Sequence, residues 1–395
     1  MGVLLVSIAL LAVAIPAVGA SLYLLVLTLL SRKLPVVLPE NPRQRFDIIV
    51  PAHNESAVIL RTVTSLKAIA WPADQFRILV VADNCIDDTA AIALAAGAIV
   101  LERQDANQRG KGYALQFAFR KSRADNLADA VVVVDADTVV SSNLLEAIAA
   151  RIERGERAVQ VHYGVLNPND SWRTRLLSIA TAAFHIVRSR ARERLGVSCG
   201  IRGNGWCVSH ELLDEVPYNA FSLAEDIEYG IALGLAGVRV AYADEAHVNG
   251  EMVSGERASR QQRQRWEHGR FQLIQAKTGQ LLAAALRRPS ALCLDLAVDL
   301  LVLPLSYVVI SVVALFSLSL VASFWHGELV PWLWVALSSA TALLAYVLRG
   351  WQLSGIGPRG LLDLARAPFF LLWKIALMMR PHNSREWVRT DREQP

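Results

Sequence analysis

Cysteine, concentrated charge and repetition are all scarce in this chain, and each scarcity removes a class of function. The four cysteines, Cys85, Cys199, Cys207 and Cys293, show neither metal-type pairing nor close disulfide spacing, so they read as free thiols in a reducing cytosol. Lys and Arg number 40 against 36 Asp and Glu, a formal charge of only +4, which gives no reason to expect a nucleic-acid partner. The pI near 8.9 reflects arginines beside apolar runs, placed to meet membrane lipids. There is no internal repeat and no low-complexity tract. The most informative absence is local. Val3 to Leu30, Leu300 to Trp325 and Leu329 to Leu348 contain no Asp, Glu, Lys or Arg, and each reaches the roughly 20 residues a helix needs to cross hydrocarbon.

What is present is unevenly spread. A hydrophobic share of 53% and a mean hydropathy of +0.33 are high for a soluble protein, yet Asp47 to Arg270 is ordinary mixed sequence. This is the layout of a membrane-anchored enzyme; a channel or transporter needs more spans. The first apolar run lacks a basic start and continues past Ala20, longer than the apolar core of a signal peptide, so an uncleaved anchor is expected. Arg32, Lys33, Arg43 and Arg45 follow it, Arg287 and Arg288 precede the second run, and Arg349 and Arg359 follow the third. The positive-inside rule then puts the N-terminus outside, residue 31 onward in the cytosol, and His326-Gly327-Glu328 in an external turn. Leu361 to Met379 is apolar but interrupted by Asp363, Arg366 and Lys374, which fits either an interfacial helix or a further span. The expected organisation is an anchor over 1–33, a cytosolic domain over 45–280, a membrane region over 281–380 and a cytosolic tail over 381–395, in the inner membrane of a bacterium.

In the cytosolic part, strand and helix patterns alternate. Phe46 to Val50 reads as a buried strand stopped by Pro51, Ser56 to Ile69 as a helix, and Arg77 to Val81 as a second strand. Asp87-Asp88-Thr89 begins an Ala-rich helix, with the two aspartates as caps. Ala98 to Leu101 is a third strand, Gly110 to Arg123 a helix, and Ala130 to Val134 an all-apolar strand of the parallel kind. Such alternation predicts an open α/β sheet with ligands at the carboxyl ends of its strands, where Asn54, Glu55, Asp83 and Asp135 fall. Trp172 to Leu195, Leu223 to Gly237 and Ser254 to Lys277 read as later helices.

Four motifs then occur in a fixed order: Asp83 in VVADNCIDDT, Asp135 and Asp137 in VVVVDADTVV, Glu225-Asp226 in SLAEDIEYGI, and Gln262-x-x-Arg265-Trp266. Any one alone is weak. Together, between hydrophobic ends, they resemble the family 2 glycosyltransferases that work at membranes, a group that includes cellulose, chitin-oligosaccharide and hyaluronan synthases and, close by, ceramide glucosyltransferase. The resemblance covers residues 46–270 by motif. It implies a GT-A-type (Rossmann-like) domain with a mostly parallel sheet, flanked by N- and C-terminal transmembrane helices, that moves a sugar from a UDP-sugar of the UDP-Glc or UDP-GlcNAc type.

The residue types suit that chemistry. Departure of a nucleotide leaves negative charge on its β-phosphate, which calls for a divalent cation or basic groups. Asp135 and Asp137 offer hard oxygens at a strand end with period-2 spacing, suited to Mg²⁺ or Mn²⁺; the resemblance gives them the metal and gives Asp135 the diphosphate as well. It also puts Asp83, with Ala52, Asn54 and Glu55, around the uracil and ribose. The commoner Asp-Asp pair is broken here by Ala82, leaving Asp83 alone. Lys111, at a helix start, either contacts the nucleotide or is solvated. Asp226 is the candidate general base, accepting the acceptor hydroxyl's proton, and Glu225 orients its neighbours or the acceptor. On one helix face, Gln262 and Arg265 serve the donor and Trp266 the acceptor. Trp206, after the permissive Gly203-Asn204-Gly205, is a further stacking candidate for the acceptor.

A single base without a second nucleophilic carboxylate favours inversion, a UDP-α-sugar becoming a β-glycoside. The acceptor is expected to be lipid-linked or a short saccharide. The alternatives are a processive polysaccharide synthase and a catalytically silent nucleotide- or lipid-binding partner. A polyprenol-phosphate sugar transferase is disfavoured by the Gln-x-x-Arg-Trp motif. The sugar, the linkage and the oligomeric state are left open.

Overall fold

The computed structural model describes residues 2–366 apart from Pro42 and Ser254. An apolar helix, α1 (Gly2–Leu29), leads into strict alternation: β1 (Phe46–Ala52), α2 (Ile59–Lys67), β2 (Phe76–Asp83), α3 (Thr89–Ala95), β3 (Ile99–Arg103), α4 (Lys111–Asp125) and β4 (Ala130–Val133). Then come β5 (Thr138–Val140), α5 (Leu144–Ile152), β6 (Ala158–Val165), α6 (Trp172–Thr181), α7 (Arg188–Arg194), β7 (Trp206–Ser209), α8 (His210–Glu215), α9 (Glu225–Leu235) and β8 (Ala241–Gly250). The remaining helices are α10 (Glu256–Arg287), α11 (Ala291–Leu301), α12 (Leu305–Trp325), α13 (Val330–Ser354) and α14 (Pro358–Leu364).

The strands form one sheet in the order β3-β2-β1-β4-β7-β6-β8-β5. β3, β2, β1 and β4 are parallel, and β7 turns the direction by pairing antiparallel to both β4 and β6. Period-2 geometry sorts the apolar residues onto two faces. Ile48, Val50, Val80 and Val132 pack with Ile59, Val63, Leu66 and Ile148 on one side. Ile49, Leu79, Val81 and Val133 pack with Leu115, Phe119 and Leu212 on the other. Full burial of each such side chain stabilises the fold by about 1.5–3 kcal/mol. Because β1, β2 and β4 run parallel, the loops after them collect at one edge.

Three corrections to the sequence reading concern boundaries. Pro51 does not stop β1, which continues to Ala52 opposite Ala82. β4 pairs with β1 only as far as Ile49–Val133, so at Pro51 one flank makes no ladder demand and a missing N–H is tolerated. Trp172 to Leu195 is one helical run, but a π-helical segment, Ala182–Val187, separates α6 from α7. The second candidate span does not occupy the whole apolar run from Leu300: α11 ends at Leu301, and the long apolar helix starts at Leu305 after Pro304.

Among the described residues three helices are long and apolar enough to cross a membrane, Val3–Leu29, Leu305–Trp325 and Gly327–Ser354. They pack on one another through Leu10, Ala14, Ala17, Val312, Leu315 and Leu343, and Ala183 and Val187 of the π segment join the same cluster. Gly350 allows this approach, since a Cβ there would lie 2.7 Å from Ala183 Cβ. The apolar bundle is thereby joined to the sheet domain by close packing. Of the Leu361 to Met379 segment only the beginning falls in α14; its part from residue 367 onward, and the expected tail over 381–395, lie outside the described residues.

Candidate active site

At the end of β1, Asn54 adopts a left-handed conformation with φ 56°. Its side-chain oxygen accepts from the Ile86 N–H at 2.8 Å, and the Glu55 N–H donates to Thr89 Oγ1 at 2.8 Å. The loop after β1 is therefore pinned to the loop after β2. Asp87 does the capping expected of it, accepting from the N–H groups of Thr89 and Ser56; Asp88 makes no side-chain cap bond. Asp83 ends β2 and pairs with Arg103 at 2.6 Å, both nearly buried. Arg103 was not singled out from the sequence, although its position at the carboxyl end of the third strand was the available signal.

The loop after β4 carries Asp135 and Asp137. The Asp135 N–H donates to Asn204 Oδ1 at 3.1 Å, and Asn204 Nδ2 donates to Thr138 Oγ1 at 2.8 Å. Asn204 is fully buried and ties Asp135 and Thr138, the residues on either side of Asp137's turn, to the glycine loop before β7. Its signal was the flanking pair of glycines. Gly205 has φ 69°, and a Cβ there would lie 2.5 Å from Val248 Cγ2, so only glycine fits.

Lys111 is bound in place. Its ammonium donates to Asp135 Oδ1 at 2.5 Å and to the Gly203 carbonyl at 2.6 Å, and lies 4.0 Å from Glu225 Oε1. Burial alone would lower its pKa; the Asp135, Glu225 and Asp226 carboxylates raise it instead. Glu225 and Asp226 stand in the first turn of α9. Burial raises the pKa of both carboxyls, while the neighbouring Lys111 cation opposes the rise. The raised values put a proton-accepting group closer to neutrality, as a general base requires.

The long α10 crosses above this edge. Gly269 lets it approach α9, since a Cβ there would lie 3.0 Å from Ala224 Cβ. One to two turns earlier, Gln262, Arg265 and Trp266 line the same cavity as the carboxylates. Burial lowers the Arg265 pKa, and the charges of Glu225 and Asp135 partly restore it. Trp266 is 40% exposed, so an indole face is available.

Trp206 is a correction. It is 1% exposed, and its ring lies 6.0 Å from Phe119, 6.3 Å from Tyr218 and 6.0 Å from Tyr229. Strand β7 sits inside the sheet between β4 and β6, and its pleat turns this residue into the core, away from any acceptor. Ala52, Asn54, Glu55, Asp83, Lys111, Asp135, Asp137, Glu225, Asp226, Gln262, Arg265 and Trp266 all line one cavity of about 1340 Å³. That cavity does not end at the carboxylates. It continues past Trp172, Leu176 and Phe184 to Leu303 before α12, Val309 in α12 and Tyr346 in α13, so a polar end and an apolar end share one space.

Comparison with known proteins agrees with this architecture. The family model described as "Glycosyltransferase like family 2" matches residues 42–269, more than half of the chain. The probable glycosyltransferase YdaM of Bacillus subtilis is 24% identical over 241 residues, 58% of this chain and 56% of that protein. The beta-monoglucosyldiacylglycerol synthase of Synechocystis sp. is 29% identical over 240 residues, 58% of this chain and 49% of that protein. The chain thus spans about half the length of the curated relatives it matches. In fold it is similar to the mannosyltransferase PcManGT of Pyrobaculum calidifontis, solved in complex with GDP-Man and Mn²⁺, with a TM-score of 0.51 at 17% identity over 87% of this chain and 97% of that one. The GT-A-like sheet, the motif-bearing loops and the matched region coincide, and the chain belongs to glycosyltransferase like family 2.

Proposed function

We propose that the chain is an inverting glycosyltransferase that moves a sugar from a UDP-sugar to a lipid-linked acceptor at the cytosolic face of a membrane, forming a β-glycosidic bond. The observation that carries this reading is the continuous cavity, with ionisable groups at the sheet edge and apolar walls at the membrane helices. An amphiphile fits such a space with its hydroxyl at the polar end and its chains at the apolar end. The beta-monoglucosyldiacylglycerol synthase relatives support a lipid acceptor by name.

Asp135 and Asp137 would hold Mg²⁺ or Mn²⁺. The donor set fits: two hard carboxylates face the cavity at one strand end, and among the described residues no third His, Cys, Asp or Glu completes a protein-only cluster. A magnesium-like ion bound by one or two carboxylates takes its remaining oxygens from substrate phosphates. When bound, the ion neutralises charge developing on the diphosphate. The protein groups do the rest. Asp83 and the Ala52–Glu55 loop receive the nucleoside, Arg265 adds positive charge at the phosphates, and Asp226 removes the acceptor proton. As the acceptor oxygen bonds the anomeric carbon, the bond from that carbon to the β-phosphate oxygen breaks, and UDP leaves with the electron pair.

The test is the anomeric configuration of the product by NMR, with Asp226→Asn alongside. The expected result is a β-linkage in the wild type and a loss of turnover of about 10²–10⁴-fold in the variant. An α-linked product would contradict the single-base mechanism.

A further inference from the structure

On the membrane side of the carboxylates, four arginines surround two aspartates. Arg188 donates to Asp299 at 2.9 Å and to the Tyr346 hydroxyl at 3.0 Å. Arg192 pairs with Asp295 at 2.6 Å and with Asp299 at 3.0 Å, while Arg202 comes only within 3.8 Å of Asp299. Arg270 donates to the carbonyls of Asp299, Leu300 and Val302, which satisfies donors without cancelling charge. All four arginines are more than nine-tenths buried. Among the described residues the four guanidinium groups face the carboxylates of Asp295 and Asp299, and Arg202 also acts on Asp226, so the cations still outnumber the carboxylates where uncompensated charge is costly.

The cluster is not a closed helix lock. Arg202 Nε and Nη2, and Arg270 Nε, are buried without a hydrogen-bond partner. Arg188, Arg202 and Arg270 all line the main cavity, as does Phe184, over whose ring Arg202 and Arg188 lie at 4.4 and 4.8 Å. A separate void of about 30 Å³ beside Arg192, Arg202, Arg270 and Asp299 has room for one water, which can accept a hydrogen bond but brings no charge. Burial, opposed by Asp299 and reinforced by the other three arginines, pulls Arg270 down to about 10, the response of a cation short of counter-charge.

Position decides which anion such a cluster would take. Arg202 precedes Gly203, whose carbonyl holds Lys111 and whose Cα faces Asp226. On the other side, Arg188 meets Tyr346, where the cavity turns apolar. We propose that Arg202, with Arg188 and Arg270, forms a phosphate cradle on the acceptor side of the cavity, and that the acceptor is a lipid with a phosphate between its reacting hydroxyl and its chains. The source of that phosphate rests on the lipid-acceptor reading above; the cradle itself does not. Planar guanidinium forks suit phosphate oxygens, and charge-assisted bonds are the strong ones.

The experiment measures binding of dioleoylphosphatidylglycerol, dioleoylglycerol and inorganic phosphate to the full chain in neutral detergent, with UDP affinity and melting temperature recorded for each variant. Phosphatidylglycerol is expected to bind about tenfold or more tighter than dioleoylglycerol. Arg202→Gln should abolish that preference with UDP affinity retained, and Arg202→Lys should keep part of it. Equal binding of the two lipids by the wild type overturns the cradle and leaves the lipid acceptor standing. Inorganic phosphate bound in an Arg202-dependent way, with neither lipid bound, supports the cradle and sinks the lipid reading. A preference for phosphatidylglycerol that survives Arg202→Gln, or a wild type that binds neither phosphatidylglycerol nor phosphate, overturns the proposal whether or not the variant folds well.

Discussion

At the scale of single residues, the carboxylates of the site are held by cations: Arg103 pairs with Asp83, and Lys111 faces Asp135, Glu225 and Asp226. Lys111 lies against Asp135 and near Glu225, and it restrains the burial-driven rise of the Glu225 and Asp226 pKa values. A general base works only when deprotonated, so a raised pKa moves the acid limb of the rate profile upward. Lys111→Met removes the restraining charge, and the acid limb of kcat/KM should move to higher pH; an unmoved or lowered limb would separate Lys111 from the base. Arg265→Ala should weaken both turnover and UDP binding, as measured by kinetics and calorimetry, because it deletes charge facing Glu225 and Asp135. Trp206→Ala should lower stability by about 3–5 kcal/mol as a core truncation, seen in chemical denaturation. The cavity positions of Asp83, Asp135 and Asp226 were legible because strand ends and helix starts announce themselves in apolar patterning, whereas Arg265, inside α10, was legible only through the Gln-x-x-Arg-Trp spacing. It misjudged Trp206 because an aromatic beside a glycine loop has the right chemistry for a sugar whether it faces in or out, and only the pleat of β7 decides. Arg103 and Asn204 had only a positional signal, a strand end and a pair of glycines, and the arginine cluster had none, since what matters is partners: Arg188 meets Asp299 across more than a hundred residues.

At the scale of elements, three devices aim the site. Parallel β1, β2 and β4 deliver their loops to one edge, the Gly203-to-Gly205 loop ties Lys111 and Asp135 together, and α10 lies over α9 through the close approach at Gly269. Gly269→Leu adds a side chain where a Cβ alone would meet Ala224 Cβ at 3.0 Å. It should lift the Gln262–Trp266 face off the carboxylates and lower turnover by tenfold or more, on the order expected for a misplacement of about 1 Å, with thermal unfolding much less affected. The alternation of strands and helices was readable from periodicity, but the order of the sheet beyond β4 was not, because β7 and β5 are short and join by long-range antiparallel pairing. The π segment was also hidden; its extra residue per turn leaves no periodic trace in six residues, yet it brings Ala183, Phe184 and His185 to the cavity wall.

At the scale of the whole molecule, the apolar bundle packs against the sheet domain through the π segment, whose Ala183 and Val187 join the bundle while His185 lies 4.9 Å from Tyr163 of β6, and Arg349 ties α13 to Ser31 after α1 at 2.9 Å. Basic residues flank the three candidate spans, so a cysteine introduced at Gly327 should label from outside and one at Ser56 should not; the reverse pattern would invert the topology. On the function proposed above, one cavity joins a nucleotide-sugar site to a membrane acceptor. The most direct test is to incubate membranes containing the full chain with a panel of labelled UDP-sugars and to partition the product between organic solvent and water. Label from one UDP-sugar should enter the organic phase as a glycolipid that mass spectrometry can identify, and Asp137→Ala should prevent it. Label confined to a water-soluble or insoluble polymer, with no glycolipid formed, would contradict the account.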